Sequence, residues 1–364
     1  MNAAAKPFDG ENKYIRITDI DEASSTYNDT DIVSPDGSLT DNYVVNDRDI
    51  LLARTGASTG KSYLYRKSDG KLYYAGFLIR ANVTEHNPYF VFSQLHTHRY
   101  WRWVSIMSAR SGQPGINSQE YSSFPIFTTS LHEENKIASL LSRLDERIAT
   151  QNKIIEDLKK LKSAIVEMLL CNRNSELLKL GDIGYFVRGL TYANEDVTEN
   201  KAATAVIRAN NLNYGNHVDK GEVVYVSRTP ATSQILQKGD IVICMANGSS
   251  ALVGKNSYYP FNDGQSTVGA FCGIYRTSHP LAKWLMQSRR YKRLVYQSLQ
   301  GGNGAIANLN GDDILNMSFP VMEKEKSKSI IFILETIEKS LAVNKGLQRS
   351  YSTQKSHLLK QMFI

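Results

Sequence analysis

Three short segments contain residue types that enzymes use for catalysis or nucleotide binding. Residues 55–62, TGASTGKS, resemble a phosphate-binding loop, but Thr55 replaces the first glycine and a strand-like YLY follows where that motif requires a helix. Residues 87–90, NPYF, resemble the adenine-methyltransferase tetrapeptide but lack one of its two prolines. No glycine-rich cofactor signature accompanies them. His96 and His98 are two residues apart, so they would not share a helix face, and no second cluster completes a metal site. We therefore expect no catalytic residue, metal or cofactor in this chain.

The composition is that of a soluble globular protein. Of 364 residues, 41% are hydrophobic and 22% are charged, which is enough apolar material for more than one core. No apolar run approaches the roughly 18 residues of a membrane span, and the N-terminal residues lack the apolar region of a signal peptide. Cys171, Cys244 and Cys272 have no CxxC spacing, which argues against a disulfide framework or a cysteine zinc site. These features predict a reduced, cytoplasmic protein.

The positive charge is concentrated in two regions. The net charge of +7 is modest for this length, but residues 50–110 alone contain nine Lys and Arg against two Asp and Glu. A second peak contains Lys283, Arg289, Arg290, Lys292 and Arg293. Such regions suit a polyanionic partner; on charge alone, solvated helix faces are an equal alternative.

The two basic regions belong to an internal repeat of about 193 residues. Residues 137–170 match residues 330–363 at their apolar positions, and each segment follows a Phe-Pro pair, at Phe124 and at Phe319. The matching segments upstream are 14–20 with 206–212, 49–65 with 240–259, and the Gly/Asn-rich stretches 110–121 with 300–313. Residues 180–203 have no clear counterpart in the first half, so the first of the two repeated domains is expected to be short at its N-terminal side.

The repeated helical segments have a coiled-coil pattern. Apolar residues recur at steps of three and four over 34–40 residues, which predicts a helix on the order of 50–60 Å long. A membrane-surface helix is disfavoured because acidic and basic residues are mixed. A soluble helix of this kind needs a partner, and we expect the two copies to pair antiparallel. The expected interface consists of Ile137, Leu141, Leu144, Ile148, Ile155, Leu158, Ile330, Leu334, Ile337, Leu341 and Leu358.

The intervening segments alternate β-forming residues with Gly/Asn/Asp turns and two basic helices. The predicted fold class is α+β, with two mixed α/β domains joined by two long antiparallel coiled-coil helices in a pseudo-twofold repeat. The predicted boundaries are 1–130 for the first domain, 131–172 for the central helix, 173–322 for the second domain and 323–364 for the C-terminal helix.

This organisation resembles the specificity (S) subunits of type I restriction-modification enzymes. Residues 133–148, EENKIASLLSRLDERI, after Phe124-Pro125 are similar to the family's Pro, Glu-Gln-x-x-Ile-Ala, Leu-Asp-x-x-Ile pattern, with Asn135 in place of the usual Gln. Residues 158–170 and 354–364 are similar to its helix ends, and residues 180–191, LGDIGYFVRGLT, to its recognition-domain start. The resemblance covers nearly the whole chain, and the order of the motifs, found twice, is its specific feature.

The resemblance implies a non-catalytic DNA-recognition subunit. Each variable domain would be a target recognition domain that reads one half of a bipartite asymmetric site in double-stranded DNA. The helix pair would set the spacer and dock methyltransferase (M) subunits, two of them expected, with restriction (R) subunits in the full complex. S-adenosylmethionine, ATP and Mg would be bound by those partner subunits. No membrane partner is expected.

Three surfaces in each half carry the side chains suited to such recognition, since Arg and Lys suit guanine and Asn and Gln suit adenine. The Gly/Ser loop offers Arg54, Thr55, Ser58, Thr59 and Lys61, matched by Asn247, Ser249, Ser250 and Lys255. The Gly/Asn loop offers Arg110, Ser111, Gln113 and Asn117, matched by Gln300, Asn303 and Asn308. The basic helix offers His98, Arg99 and Arg102, matched by Arg289, Arg290, Lys292 and Arg293.

Two other functions remain open at this stage. The chain could be the specificity subunit of a related restriction class whose partner fuses methyltransferase and nuclease. It could also be a non-DNA coiled-coil adaptor, although the paired basic loops and helices argue against this. A single loop Ser or Asn is more often a turn former than a base reader.

Overall fold

The computed structural model describes residues 1–109, 112–170, 176–300 and 307–363. Its contacts divide the chain into two compact units. Unit 1 comprises Met1–Ile155 and Val343–Ile364, and unit 2 comprises Glu156–Ala342. Each unit contains parts of both long helices, whereas the sequence assigned these helices to segments of their own.

Unit 1 is built around a buried central strand. All five residues of the strand Asp49–Ala53 are buried, because it carries the apolar run ILLA between two antiparallel neighbours. The strands are β1 Ala4–Pro7, β2 Lys13–Ile15, β3 Val33–Asp36, β4 Asp49–Ala53, β5 Ser62–Leu64, β6 Leu72–Tyr74 and β7 Leu78–Asn82. The helices are α1 Pro88–Gln94, α2 His98–Met107, α3 Ser118–Ser122 and the first part of α4 Leu131–Met168. The sheet order is β5-β4-β7, beside a parallel pair β2-β6 and an antiparallel pair β1-β3.

Unit 2 repeats this arrangement. Its strands are β8 Glu176–Lys179, β9 Tyr185–Arg188, β10 Val197–Thr198, β11 Thr204–Ile207, β12 Val224–Val226, β13 Ile241–Cys244, β14 Ala246–Asn247, β15 Asn256–Tyr258, β16 Ser266–Val268, β17 Cys272–Arg276, β18 Ala307–Asn308 and β19 Ser318–Val321. Its helices are α5 Leu180–Ile183, α6 Ala282–Leu285, α7 Arg289–Gln300, α8 Gly311–Leu315 and the first part of α9 Lys324–Met362. The buried strand β13 lies between β15 and β17, and β11 pairs parallel with β16.

Two strands of unit 2, β9 and β10, come from the segment that has no counterpart in the first half of the sequence. Strand β9 pairs with β17 at the edge of the sheet, which gives the order β15-β13-β17-β9. The corresponding sheet of unit 1 has three strands in the described residues. The predicted α+β class, with two β-rich regions and two long helices, is confirmed.

The long helices pack antiparallel in both units. In unit 1, Lys355 Nζ donates to Asp145 Oδ1 at 2.6 Å, and the amides of Gln151 and Asn344 hydrogen-bond to each other. In unit 2, Lys162 Nζ donates to Glu338 Oε1 at 2.8 Å. Gln151 and Asn344 are separated by 193 residues, so equivalent positions of the repeat meet.

Apolar side chains fill the rest of the helix seam. In unit 1, Leu141 packs in a cluster with Phe90, Leu359 and Phe363. In unit 2, Leu334 packs with Val166 of helix α4 and with Leu169, just after that helix, around the fully buried Trp284. Of the expected interface residues, Leu141, Leu144, Ile155, Leu334, Ile337 and Leu341 are buried, and Ile137, Ile148, Leu158, Ile330 and Leu358 are half-buried.

Candidate nucleic-acid interface

The Gly/Ser loop and the Gly/Asn loop lie side by side in each unit. In unit 1, Gly56 N donates to Pro114 O and Ile116 N donates to Arg54 O, both at 2.9 Å. In unit 2, β14 of the first loop pairs antiparallel with β18 of the second, so that Asn247 lies opposite Ala307. The Gly/Ser loop and the Gly/Asn loop, two of the three predicted surfaces, are therefore adjacent in each unit.

The Gly/Ser loop of unit 1 is also anchored on the basic helix α2. Gly60 has a φ of +94°, and a Cβ at this position would lie 2.7 Å from Val104 Cγ1, so that only glycine fits without displacement. The Tyr100 hydroxyl donates to Gly60 O at 2.8 Å. All three predicted surfaces therefore meet in unit 1.

Unit 2 anchors its Gly/Ser loop in the same way on the basic helix α7. Gly254 has a φ of +79°, a Cβ there would lie 2.7 Å from Val295 Cγ1, and the Tyr291 hydroxyl donates to Gly254 O at 2.9 Å. Sequence reasoning missed both tyrosines. The available signal was their separation of 191 residues, close to the repeat, in two basic helices.

The Tyr100 anchor gives a stability prediction. We expect Tyr100→Phe to lower the free energy of unfolding by about 1–3 kcal/mol, because Gly60 O would lose its hydroxyl partner in a buried place. Chemical denaturation followed by circular dichroism measures this change. The control is Tyr296→Phe, the same chemical change at an exposed position. Equal losses in the two variants would show that the Tyr100 hydroxyl does not anchor the loop.

Most of the predicted contact residues are accessible. Exposed side chains are those of Arg54, His98, Arg102, Gln113, Ser249, Ser250, Arg289, Lys292, Arg293 and Asn308. Half-buried side chains are those of Thr55, Ser58, Lys61, Asn247, Lys255 and Arg290. Arg110, Ser111 and Asn303 lie outside the described residues, as does the side chain of Gln300.

Several predicted contact residues make contacts within their own unit, among them Arg99, Thr59, Arg290 and Asn117. The Arg99 guanidinium lies over the rings of Phe124 and Phe127 at 4.9 and 4.3 Å and donates to Pro125 O. Buried Thr59 donates its hydroxyl hydrogen to Gly56 O, Arg290 Nε donates to Ser318 O at 2.8 Å, and the Asn117 side chain caps α3. These four side chains satisfy a main-chain group or cover an aromatic ring, a role within the fold that the sequence prediction did not include.

A cavity beside the paired loops is a feature that the sequence prediction did not include. In unit 2 its volume is about 600 Å³, and Arg208, Asn247 and Phe271 are among its lining residues. Unit 1 has a cavity of about 490 Å³ lined by Arg16 and Phe77. The two phenylalanines are 68% and 63% exposed. The signal in the sequence was the match of residues 14–20 with 206–212, which aligns Arg16 with Arg208.

The described residues contain no group of His, Cys, Asp and Glu that could hold a metal ion. Burial raises the pKa of the Cys272 thiol to about 12, so this thiol stays protonated and is a poor nucleophile. Burial also lowers the pKa of His96 to about 4, so its imidazole is neutral at pH 7. Among the described residues, no helix is both long and apolar enough to span a bilayer.

Comparison with known proteins relates this fold to one family. Residues 1–160 match the family model described as the type I restriction modification DNA specificity domain. The chain is 29% identical, over 150 residues, to the specificity subunit of the type I restriction enzyme EcoKI from Escherichia coli (strain K12). That match covers 38% of this chain and 31% of the relative, so the chain matches about a third of the length of this curated relative.

Two solved structures share the fold. The crystal structure of a type I restriction-modification S subunit from M. genitalium superposes with a TM-score of 0.64 at 15% identity, over 99% of this chain and 90% of that one. A structure from work on complex assembly and conformational transition of the type I system gives a TM-score of 0.52 at 14% identity, over 96% and 90%.

Proposed function

We propose that this chain, which belongs to the family of type I restriction-modification specificity subunits, is the subunit that reads DNA in such a system. Each unit binds one half of a bipartite, asymmetric site in double-stranded DNA. The chain has no catalytic activity of its own. Adenine methylation and ATP-driven cleavage belong to M and R partner subunits, which also bind S-adenosylmethionine, ATP and Mg.

One observation carries this proposal: two polar loops and a basic helix converge in each unit. Phosphate contacts from exposed cations supply affinity and register, and side chains on the loops supply base contacts. Arg54 and Gln113 in unit 1, and Asn247 and Asn308 in unit 2, have the donor and acceptor groups that the major groove requires. The duplication of the arrangement suits a site with two halves.

The long helices have the features of a spacer and of a docking surface. Their 38 and 39 residues correspond to about 57 Å of helix at the usual rise. Large apolar side chains remain exposed on them outside the seam, which favours a protein partner. These are Leu131, Leu140, Ile154, Leu161 and Met168 on α4, and Phe332, Ile333, Val343 and Leu347 on α9.

Met168 and Phe332 are the most suitable residues for a test of M-subunit docking. By the register of Lys162 with Glu338, they lie level on the two helices of unit 2, and they are 54% and 71% exposed. We expect Met168→Ser with Phe332→Ser to weaken association with M about tenfold or more, since buried apolar area drives such contacts. Copurification and sedimentation measure the association. The control is Thr336→Ser, a mild change on the exposed surface of the same helix; unchanged association of the double variant would place docking elsewhere.

The function itself is tested by methylation mapping. The chain is expressed with its M partner in a host without other adenine methyltransferases, and long-read sequencing reports methylated adenines. We expect one motif with two specified halves and an unspecified spacer, absent when either protein is omitted. Absence of any motif, together with no shift of duplex DNA in a gel, would favour the coiled-coil adaptor.

A further inference from the structure

Arg16 and Arg208 occupy the same place in the two units. Each follows a strand of the parallel pair, β2 or β11, and begins a short 3-10 turn. The main-chain N–H of each arginine donates to the side chain three residues later, to Asp19 at 2.8 Å and to Asn211 at 2.9 Å. The backbone therefore presents both guanidinium groups in equivalent positions, and each lines the cavity of its unit.

The two guanidinium groups differ in charge compensation. In unit 1, Arg16 Nε and Nη2 donate to the Asp19 carboxylate at 2.8 and 2.7 Å, and Asp31 lies 3.7 Å from Nη2. In unit 2, the uncharged Asn211 instead donates to two main-chain carbonyls. The buried Arg208 Nε has no hydrogen-bond partner within the described part of the chain.

A buried guanidinium N–H without an acceptor is unusual in a folded protein. A buried donor without an acceptor costs stability, and native structures leave few of them unless a ligand or ion supplies the acceptor. Nothing in the described fold of unit 2 replaces the two carboxylates that surround Arg16. The cavity of unit 2 is therefore lined by a guanidinium group that has no carboxylate partner in the described residues.

The other lining residues indicate which kind of acceptor this is. Asn210 and Asn247 supply amides, Tyr192 and Phe271 supply aromatic rings, and the described lining contains no carboxylate. A phosphate site would group several cations, such as those on α7. A single guanidinium among amides instead matches the hydrogen-bonding edge of a nucleobase in the major groove. Asn247 also belongs to the paired loops, so the cavity adjoins the surface proposed to enter the groove.

We propose that Arg208 is a specificity residue of unit 2 that reads a guanine in its half of the DNA site. The fork of the guanidinium matches the O6 and N7 acceptors of guanine in the major groove. Arg16 is held by Asp19 and does not read a base in this way, which gives the two units different preferences. This inference rests on the proposed function and assigns one residue within it.

The experiment uses the full chain in complex with its M partner. Methylation mapping first defines the motif of the wild-type complex, and binding is then measured on duplexes in which each specified position is changed in turn. We expect Arg208→Ala and Arg208→Lys to reduce selectivity for guanine at one position by about tenfold to a hundredfold. The lysine variant keeps the charge and loses the fork, so it should retain affinity for duplexes that lack this guanine.

Lys238→Ala is the matched control. Lys238 is exposed and lies just before β13, at the end of that strand far from Asn247. Its replacement by alanine removes one positive charge from the same unit. Thermal unfolding of each variant verifies that the fold is intact. Unchanged selectivity in both Arg208 variants would overturn the inference. So would an equal loss on all sequences with a salt slope reduced by about one, the signature of a phosphate contact. A wild-type complex without selectivity would instead overturn the proposed function itself.

Discussion

Simultaneous replacement of Arg289, Lys292 and Arg293 by alanine is expected to weaken DNA binding and to flatten its dependence on salt. All three side chains are exposed on α7, beside the Gly/Ser loop that this helix anchors through Tyr291. Each phosphate contact contributes about 0.9 to the slope of log affinity against log salt, so three contacts contribute about 2.7. The gain in affinity between 200 and 50 mM salt should therefore shrink by about 40-fold. Filter binding over a salt series measures both quantities.

The choice of residues follows from the contacts of α7. Arg290 is left unchanged because its Nε donates a hydrogen bond to Ser318 O. Loss of this hydrogen bond would disturb the fold as well as the binding surface. The charge-matched control replaces Lys201, Arg228 and Lys238, three exposed cations of unit 2 outside the proposed interface. If both triple variants lose the same affinity and slope, net charge rather than α7 governs binding. A slope unchanged in the α7 variant would remove this helix from the phosphate contacts.

Features that depend on local pattern could be predicted from the sequence. The helix seam follows from apolar residues at steps of three and four, and Leu141 and Leu334 are fully buried. The loops follow from glycines between strands, and both lie where the repeat predicts them. Gln151 lies in this seam, and its partner Asn344 could not be predicted, because the register of the two helices is set by packing along their whole length.

The roles of individual cations could not be predicted, because they depend on groups far away in the chain. Arg99 covers the ring of Phe127, and Arg290 bonds a carbonyl 28 residues away. Sequence composition treats these residues like the exposed Arg102 and Arg293, although their guanidinium groups are occupied. The reverse holds for Arg208, which no basic cluster marks. Its proposed role rests on the absence of the two carboxylates that surround Arg16, with Asn211 in place of Asp19.

Insertion of one helical turn into both long helices is expected to lengthen the unread DNA spacer by one or two base pairs. The proposed sites are after Thr150 in α4 and after Asn344 in α9, which face each other because Gln151 pairs with Asn344. Four residues add about 6 Å of helix and rotate it by little more than a full turn, so the apolar stripe stays nearly in phase. At about 3.4 Å per base pair, 6 Å corresponds to one or two base pairs. Methylation mapping of the variant reads the new spacer directly.

The insertion into α4 alone is the control for this design. It shifts Lys162 and the residues after it relative to Glu338 and the apolar seam, so the two helices lose their matched contacts in unit 2. We expect this variant to lose specific methylation rather than to acquire a longer spacer. If the double insertion retains the original spacer while the motif halves stay unchanged, the helix pair does not determine the distance between the two halves of the DNA site. A longer spacer with both halves retained would mean that reading and spacing reside in separate parts of the chain, because the insertion leaves the loops and the basic helices untouched.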